Sequence, residues 1–249
     1  MKFSETVKLS QPELVISKRH DAWLADDDRR YSNLAISFAM SEFTKKARVR
    51  KGTVSASSLG ECRRYQQFVY LGMPKLPFNA KNAMKMANGE MMHLRWQMDG
   101  LSEGWLADAE VPVYSEQLGL RGTMDGITFD HRILELKSIN ANGFRRVHTF
   151  GPLVPHLFQM ATYMLCTGKS RGVFIYECKD DQEYHEIPVE VSDVPLVEAK
   201  LRAEDMWGHI NRRELFEPLG KCIDREGWQY HSCPFRDRCL EIKTWEEAL

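Results

Sequence analysis

The sequence predicts an α/β domain in which a mixed β-sheet is flanked by helices. A long helical segment precedes three strand-like runs, and a second helix, two further strands and a last long helix follow them. The expected strands span about 108–115, 118–129, 132–139, 172–178 and 184–190, and the last helix about 192–215. This alternation of helices with consecutive strands is typical of a mixed sheet covered by helices.

The length of 249 residues and a hydrophobic content of 43% indicate one large domain, or one domain with appendages. We expect residues 1–52 to form an N-terminal helical arm or cap that contacts DNA or another subunit. Residues 53–219 should form the core, and residues 220–249 a separate cysteine-bearing segment. No Gly-rich phosphate loop occurs, so ATP hydrolysis is not expected.

The first long helix is expected over about 79–105, where apolar residues recur on one face. The members of this stripe are Met84, Met91, Leu94 and Met98. Gly89 and His93 are four residues apart and share a helix face. The glycine would let another element approach closely, and His93 is either an imidazole ligand or a structural histidine.

Two strands broken by Asp130-His131 are expected to form a hairpin that carries two carboxylates and one amine. Glu135 and Lys137 should point to one face of the sheet and Leu136 to the other, because side chains alternate along a strand. With Asp125, they indicate either a site for a hard divalent cation with an ammonium beside it, or a solvent-exposed ion pair.

The length of the hairpin loop decides whether Asp125 joins this site. Residues that face each other in a hairpin have numbers of constant sum, and Asp125 shares the face of Glu135 only if that sum is even. A two-residue turn would place Asp125 opposite Leu136. We therefore expect a three- or five-residue loop, or a bulge near Gly126.

A second helix is expected over about 155–168, with Pro155 in the favoured first turn. Gln159 and Tyr163 are spaced i, i+4 on it and share a face. Taken alone, they are either functional groups or the polar rim of an amphipathic helix.

These residues form four short motifs in a characteristic order. They are Gly-x-x-x-His (Gly89 to His93), Gly-x-x-Asp-Gly-Ile (Gly122 to Ile127), Glu-x-Lys (Glu135 to Lys137) and Gln-x-x-x-Tyr (Gln159 to Tyr163). Each is weak alone, but four in this order over about 75 residues resemble the RecB-type nucleases of the PD-(D/E)XK superfamily. The resemblance implies an α/β fold with a PD-(D/E)XK nuclease core.

The resemblance also implies the ligands of a catalytic cation. Asp125 and Glu135 would bind Mg²⁺ or Mn²⁺, and His93 would be a further ligand that favours Mn²⁺. The backbone carbonyl of Leu136 would complete the coordination shell. These residues would support metal-assisted hydrolysis of a phosphodiester.

The remaining motif residues receive positioning and proton-transfer roles from the same resemblance. Lys137 would orient or help to deprotonate the attacking water and offset the negative charge of the transition state. Gln159 and Tyr163 would position the nucleic-acid strand or the water from the neighbouring helix.

Six cysteines occur, and no apolar leader or membrane-spanning run accompanies them. We therefore expect a cytoplasmic protein (host cytoplasm if the chain is phage-encoded) without a membrane partner, in which clustered cysteines indicate a metal or cofactor site. Cys166 and Cys178 lie in apolar segments and are expected to be small core residues.

The remaining cysteines are Cys62, Cys222, Cys233 and Cys239. The C-terminal segment is polar, so something other than a core should fix it. A Cys-Pro-Phe-x-x-x-Cys ending with one early cysteine resembles the iron–sulfur branch of the RecB-like nucleases, which includes phage exonucleases, CRISPR-associated nucleases and the AddB nuclease domain. This implies a 4Fe–4S cluster that clasps the ends of the domain. The family's usual first cysteine position is Tyr230 here, which leaves Cys222 or His231 as the fourth ligand. A Zn²⁺ site and the absence of any metal are the alternatives.

Charge identifies no partner for the molecule as a whole, since 34 basic residues nearly balance 35 acidic ones. Local basic patches would have to bind nucleic acid. The candidates are residues 45–51, Arg63-Arg64 and Arg145-Arg146. Arg145 and Arg146 are favoured because they follow the Glu-x-Lys motif, and Phe144 and Phe150 beside them either stack on bases or pack in the core.

The function predicted by the motifs and the resemblance is a metal-dependent DNA exonuclease with a structural 4Fe–4S cluster. The family suggests single-stranded ends and 5′-to-3′ polarity. Alternatives are a DNA-end-trimming nuclease within a CRISPR-adaptation or recombination complex, a catalytically silent DNA-binding module and a redox sensor. A homo-oligomer or partner proteins would be compatible with each of them.

Overall fold

The computed structural model describes residues 15–45, 51–77, 79–225 and 227–249. Most of the basic run at residues 45–51 therefore lies outside the described residues. The helices begin with α1 (Val15–Ala25), α2 (Asn33–Thr44), α3 (Arg63–Leu71), α4 (Ala80–Glu103) and α5 (Ala141–Phe150). They continue with α6 (Val154–Thr167), α7 (Leu196–Arg212), α8 (Gly220–Ile223), α9 (Gly227–Ser232) and α10 (Arg236–Cys239).

Six strands form one mixed sheet in the order β1-β3-β4-β5-β6, with β2 also paired to β3. They are β1 (Val54–Ser55), β2 (Leu106–Ser115), β3 (Leu120–Thr128), β4 (Ile133–Ile139), β5 (Arg171–Cys178) and β6 (Tyr184–Glu190). The β1–β3 and β4–β5 pairs are parallel, and the other pairs are antiparallel. The predicted mixed sheet with flanking helices is confirmed.

The two edges of β3 are bordered differently. β2 pairs with almost its whole length on one edge. On the other edge, β1 pairs with residues 120–121 and β4 with residues 126–127. Between these two short ladders, residues 122–125 have no partner strand on this edge in the described part of the chain. The sheet therefore opens beside Asp125.

Apolar side chains cover both faces of the sheet. On one face, Leu136 of β4 packs in a cluster with Trp96 of α4, and both side chains are fully buried. On the other face, Phe174 of β5 belongs to the main core together with Met160 of α6. The long helices α4 and α6 thus lie on opposite faces of the central strands.

A three-residue loop joins β3 to β4, as the parity argument predicts. The Thr128 N–H donates to the Arg132 carbonyl at 3.0 Å, which leaves residues 129–131 as the loop. His131 has a φ of +67°, the left-handed conformation that commonly ends such a loop.

The loop sets the strand register at the site. Residues 126–127 pair with residues 134–133, so opposed residues have numbers with an even sum. Continuing this register by one step places Asp125 opposite Glu135. The even sum that the parity argument requires is confirmed for the paired residues.

Two expectations about α4 are wrong. Met84 and Met91 of the predicted apolar stripe are 63% and 53% exposed, whereas Leu94 of the same stripe is buried together with Met92 and Trp96. The side chains of residues 80–88 are all exposed, so the apolar periodicity of this half has no packing partner. A Cβ at Gly89 would meet nothing within 4 Å, and the glycine therefore allows no close approach.

The sequence did not predict α1 and α5. α1 packs on the α4 side of the sheet, where the His20 ring stacks on Trp96 at a centroid distance of 4.1 Å. α5 begins at Asn140, whose side chain accepts the Gly143 N–H at 2.8 Å. α1 buries only Ile16 and His20, too few for a clear helical periodicity, and α5 buries only Phe144 and Val147.

Core packing fixes the C-terminal segment, contrary to the expectation from its polar composition. Phe235 and Trp245 are buried in the main core. The Arg64 guanidinium, which is 3% exposed, also holds this segment. It donates to the carbonyls of Phe216, Cys239 and Ile242.

Within the described residues, no helix combines the length and the apolar character that crossing a bilayer requires.

Gly122→Ala should destabilise the protein by about 1–3 kcal/mol, because its Cβ would lie 2.8 Å from a Tyr163 ring carbon and 2.9 Å from the Ala56 Cβ. Gly89→Ala should instead stabilise it by about 0.5–1 kcal/mol, since the helical site is open. Urea denaturation of both variants checks the contrast, and equal midpoints would contradict it.

Candidate active site

Glu135 and Lys137 extend from β4 toward α6, as the strand alternation predicts. Lys137 Nζ donates to Glu135 Oε2 at 2.6 Å and to the side-chain oxygen of Gln159 at 3.0 Å. Glu135 is fully buried, and its other oxygen, Oε1, has no hydrogen-bond partner. A buried carboxylate oxygen without a partner is costly, and a cation or a water would satisfy it.

Asp125 stands where β3 and β4 separate. Its Oδ2 accepts the Leu136 N–H at 2.7 Å, so a side chain replaces the ladder hydrogen bond at this position. Its own carbonyl accepts the Gln97 side-chain amide at 2.8 Å. These two bonds hold the Asp125 backbone and carboxylate at the opening of the sheet.

His93 lies on α4 beside this carboxylate. Its Nδ1 is 3.3 Å from Asp125 Oδ1, which brings the imidazole and the carboxylate together as the motif order suggests. Burial lowers the pKa of His93, but the Asp125 carboxylate outweighs it and the net pKa is raised. Burial raises the pKa of Asp125. His93, and after it Lys137, lower this pKa by more than burial raises it, so the net pKa lies below the usual value for an aspartate.

The pKa values of the two β4 groups reflect the same burial. Burial raises the pKa of Glu135 to about 8, against the attraction of the Lys137 ammonium, and the Asp125 charge adds to the increase. Burial alone would lower the pKa of Lys137, but Glu135 and Asp125 raise it, so the amine is held as an ammonium.

Gln159 and Tyr163 extend a hydrogen-bond chain from Lys137 to β3. The Gln159 amide donates to the Tyr163 hydroxyl at 3.2 Å, and this hydroxyl donates to the Thr123 carbonyl at 2.7 Å. Tyr163 is 1% exposed. It therefore fixes Gln159 and the open edge of β3 rather than facing a substrate.

Sequence reasoning missed two side chains near this group. Gln97 was overlooked although it lies four residues after His93 and shares its helix face. His156 was overlooked although it lies three residues before Gln159. Its Nδ1 is 2.7 Å from the Tyr176 hydroxyl, and Tyr176 is the neighbour of Lys137 on β5. Helix spacing from His93 and Gln159 could have identified both.

Arg145 and Arg146 lie on the exposed face of α5. Arg145 donates to the Asn142 side chain, and no hydrogen bond or ion pair ties Arg146 to another described residue. Phe144 is buried, whereas Phe150 is 81% exposed. The core-packing alternative thus holds for Phe144 and not for Phe150.

The four remaining cysteines line one cavity of about 1190 Å³. They are Cys62 before α3, Cys222 in α8, Cys233 between α9 and α10, and Cys239 at the end of α10. Burial and then the Cys62 charge raise the pKa of Cys222, which places these two thiols near each other. The His231 side chain is exposed and does not line this cavity.

Neither group of residues forms a closed cage. Among the described residues, no three His, Cys, Asp or Glu side chains are close enough together to hold a metal ion. At the open edge of the sheet, the donors bind each other and Lys137 instead. Around the cavity, the four thiols form part of its wall.

No protein-family model and no curated protein sequence matches this chain. A crystal structure of the alkaline exonuclease LHK-Exo from Laribacter hongkongensis, in complex with dAMP, is similar to it. The match has a TM-score of 0.53 and 20% identity, and it covers 66% of this chain and 90% of that chain. The chain shares the fold of this exonuclease. The expected nuclease-like fold is thus shared with a solved exonuclease.

Two further solved structures are similar to the chain. Another crystal structure of LHK-Exo has a TM-score of 0.49 and 19% identity over 66% of this chain and 90% of that chain. The crystal structure of SSO0001 has a TM-score of 0.49 and 18% identity, and it covers 83% of this chain and 93% of that chain.

Proposed function

We propose that this protein is a metal-dependent DNA exonuclease. The observation that carries the proposal is the meeting of Asp125, Glu135 and Lys137 at an opening of the sheet, in a fold that it shares with an alkaline exonuclease. The complex of that exonuclease with dAMP shows a deoxynucleotide bound to a protein of this fold.

The donor chemistry of these residues suits a hard divalent cation. Asp125 and Glu135 supply oxygen donors, His93 supplies an imidazole beside them, and the unpaired Oε1 of Glu135 needs a positive partner. We propose these three side chains, with the Leu136 carbonyl, as the ligands of Mg²⁺ or Mn²⁺. When bound, such an ion supplies Lewis-acid polarisation of the phosphodiester and lowers the pKa of water.

The chain's own groups then divide the remaining work. The Lys137 ammonium lies between Glu135 and Gln159. It offsets the negative charge that develops on the phosphoryl oxygens in the transition state. Gln159 orients this ammonium through its carbonyl oxygen, and Tyr163 orients Gln159. Arg145 and Arg146, exposed on α5, would contact the backbone of the nucleic acid.

The affinity for Mn²⁺ should rise at least about tenfold per pH unit between pH 6 and 7.5, then level off above about pH 8. Glu135, with a pKa of about 8, is protonated below that pH and cannot bind a cation without losing its proton. The raised pKa of His93 acts in the same direction. Calorimetric titration with Mn²⁺ at several pH values measures this slope. Glu135→Gln should flatten it, and an affinity independent of pH would contradict the assignment.

We propose that the cysteine-lined cavity holds a 4Fe–4S cluster. Four thiols around one cavity supply the usual ligand set of such a cluster. Cys222, which lines the cavity, is a better fourth ligand than the exposed His231. We also propose that the chain divides into three segments. Residues 1–52 form an arm or cap, residues 53–219 form the nuclease core, and residues 220–249 form the clasp that closes the cluster site with Cys62.

Cys62→Ser, Cys233→Ser and Cys239→Ser should each abolish cluster retention, because three thiolates hold a four-iron cluster poorly. Cys166→Ser is the matched control, since this thiol lies in α6 outside the cavity lining. Iron and sulfide analysis of anaerobically purified protein measures retention. Stoichiometric zinc in place of iron would instead support the alternative metal.

The test of the nuclease itself uses single-stranded DNA labelled at either end, with Mg²⁺ or Mn²⁺, and Asp125→Asn as the inactive control. We propose single-stranded ends as substrates and 5′-to-3′ polarity, so the 5′ label should appear first in mononucleotides. Release of the 3′ label first would reverse the polarity. No cleavage of DNA in either metal, despite an intact cluster, would overturn the function.

An end-trimming nuclease within an adaptation or recombination complex is the alternative in the same class. It predicts cleavage only when partner proteins are added. A silent DNA-binding module is disfavoured, because both carboxylates and the lysine are present and in contact with one another or with their neighbours.

A further inference from the structure

His156 lies at the edge of the proposed active site. It precedes Gln159 by three residues on α6 and therefore shares its helix face. Gln159 binds Lys137, and Lys137 is paired across the parallel β4–β5 ladder with Tyr176. Side chains at paired positions of neighbouring strands lie side by side, so Tyr176 brings its partner His156 next to Lys137.

The hydrogen bonds of Tyr176 fix the tautomer of His156. The Tyr176 hydroxyl accepts the Leu153 N–H at 3.4 Å and lies 2.7 Å from His156 Nδ1. The backbone N–H can only donate, so it occupies one lone pair of the hydroxyl and leaves the hydroxyl proton available for Nδ1. The reverse tautomer would leave the hydroxyl proton of a fully buried tyrosine without an acceptor. His156 therefore carries its proton on Nε2.

The imidazole also stays neutral. Burial, and then the charge of Lys137, lower the pKa of His156 to about 3. Burial raises the pKa of Tyr176, so the hydroxyl keeps the proton that it donates. The ring is thus a neutral group with one committed acceptor and one N–H.

Among the described residues, no hydrogen bond engages Nε2, and His156 is partly rather than fully buried. A neutral donor beside Lys137 suits an anionic oxygen, because it adds a hydrogen bond without a second positive charge that would repel the ammonium.

We propose that His156 donates its Nε2–H to a phosphate oxygen of the substrate strand beside Lys137. This inference rests on the proposed nuclease function and adds a substrate-binding residue that the four motifs do not contain. The ligand class is a phosphodiester, and Tyr176 is the positioning residue that selects the productive tautomer.

Two isosteric variants separate this role from simple anchoring of Tyr176. His156→Asn keeps an oxygen acceptor near the position of Nδ1 but has no donor near Nε2. His156→Gln has an amide donor near the position of Nε2 but loses the acceptor for Tyr176. If the donor matters, glutamine should function better than asparagine, and if the anchor matters, the order should reverse.

We expect His156→Asn to lower kcat/KM on single-stranded DNA about 10- to 100-fold, the effect of losing one hydrogen bond to a charged group. His156→Gln should stay within about fivefold of the wild type. His131→Asn, in the exposed hairpin loop at the opposite end of β4, is the matched control and should change nothing. Equal rates for the asparagine and glutamine variants, or a faster asparagine variant, would overturn the proposal.

Two measurements without catalysis separate this proposal from the nuclease function. Nitrogen-15 NMR of the histidines should find the His156 proton on Nε2, and Tyr176→Phe should release this preference. A proton on Nδ1 in the wild type would overturn the inference alone. Binding of an oligonucleotide without divalent cation should weaken in His156→Asn and not in His131→Asn. A wild type that neither binds nor cleaves nucleic acid would overturn both.

Discussion

Replacing Lys137 by methionine is expected to lower the rate of DNA cleavage at least about 10³-fold while the fold is retained. The substitution keeps the volume of the side chain and removes the ammonium that contacts Glu135 and Gln159. Glu135, already with a pKa of about 8, can take up a proton when its partner is lost, so no buried charge remains unpaired. Single-turnover cleavage of labelled DNA measures the loss.

The affinity for the cation should behave oppositely to the rate in this variant. Lys137 competes with a cation for Glu135, so at a pH high enough to keep Glu135 deprotonated its removal should leave Mn²⁺ binding unchanged or strengthen it, whereas Asp125→Asn should weaken it. Lys179→Met, at an exposed position after β5, is the control for losing a lysine. Activity of Lys137→Met within tenfold of the wild type would contradict the role of the ammonium.

The sequence predicted the central part of the site because it depends on local rules. Alternation along a strand places Glu135 and Lys137 on one face, and the parity of the hairpin brings Asp125 to the same place. Both follow from covalent geometry and hold whatever surrounds the hairpin. A loop of three or five residues, or a bulge near Gly126, could therefore be expected before the fold was known, and the structure has the three-residue loop.

The parts that failed depend on tertiary packing. The methionines of α4 have helical periodicity, but the first half of α4 lies on the surface and Met84 is 63% exposed. The C-terminal segment looked too polar for a core, yet Phe235 and Trp245 are buried against elements distant in sequence. Periodicity indicates which residues share a face, and it does not indicate whether a partner covers that face.

Arg64→Met is expected to lower the free energy of unfolding by about 3–5 kcal/mol, which is near the upper end of what single substitutions cost. The guanidinium is 3% exposed, and its donors hold three backbone carbonyls around the C-terminal segment. Methionine fills the space but leaves the buried Ile242 carbonyl and the partly buried Phe216 and Cys239 carbonyls without this donor. Urea denaturation with a two-state fit measures the change.

The neighbouring Arg63 provides the control for this prediction. It is 41% exposed and pairs with Asp205, itself 38% exposed, so Arg63→Met should change stability by no more than about 0.5 kcal/mol. Equal urea midpoints for the two variants would contradict the proposed role of Arg64 in holding the C-terminal segment.

The Arg64 clamp, meaning the hydrogen bonds from Arg64 to the carbonyls of Phe216, Cys239 and Ile242, connects the start of α3 to the C-terminal part of the chain. The proposed cluster would connect the same two segments. Arg64 holds the carbonyl of Cys239, while Cys62 and Cys239 would hold the cluster. Two restraints on one segment are not additive, because each reduces the freedom that the other must restrict. The Arg64→Met variant should therefore lose iron from the proposed cluster faster than the wild type. In a Cys62→Ser background, Arg64→Met should lower the free energy of unfolding by more than it does in the wild type. Additive losses in the double variant would show that the clamp fixes this segment without help from a cluster.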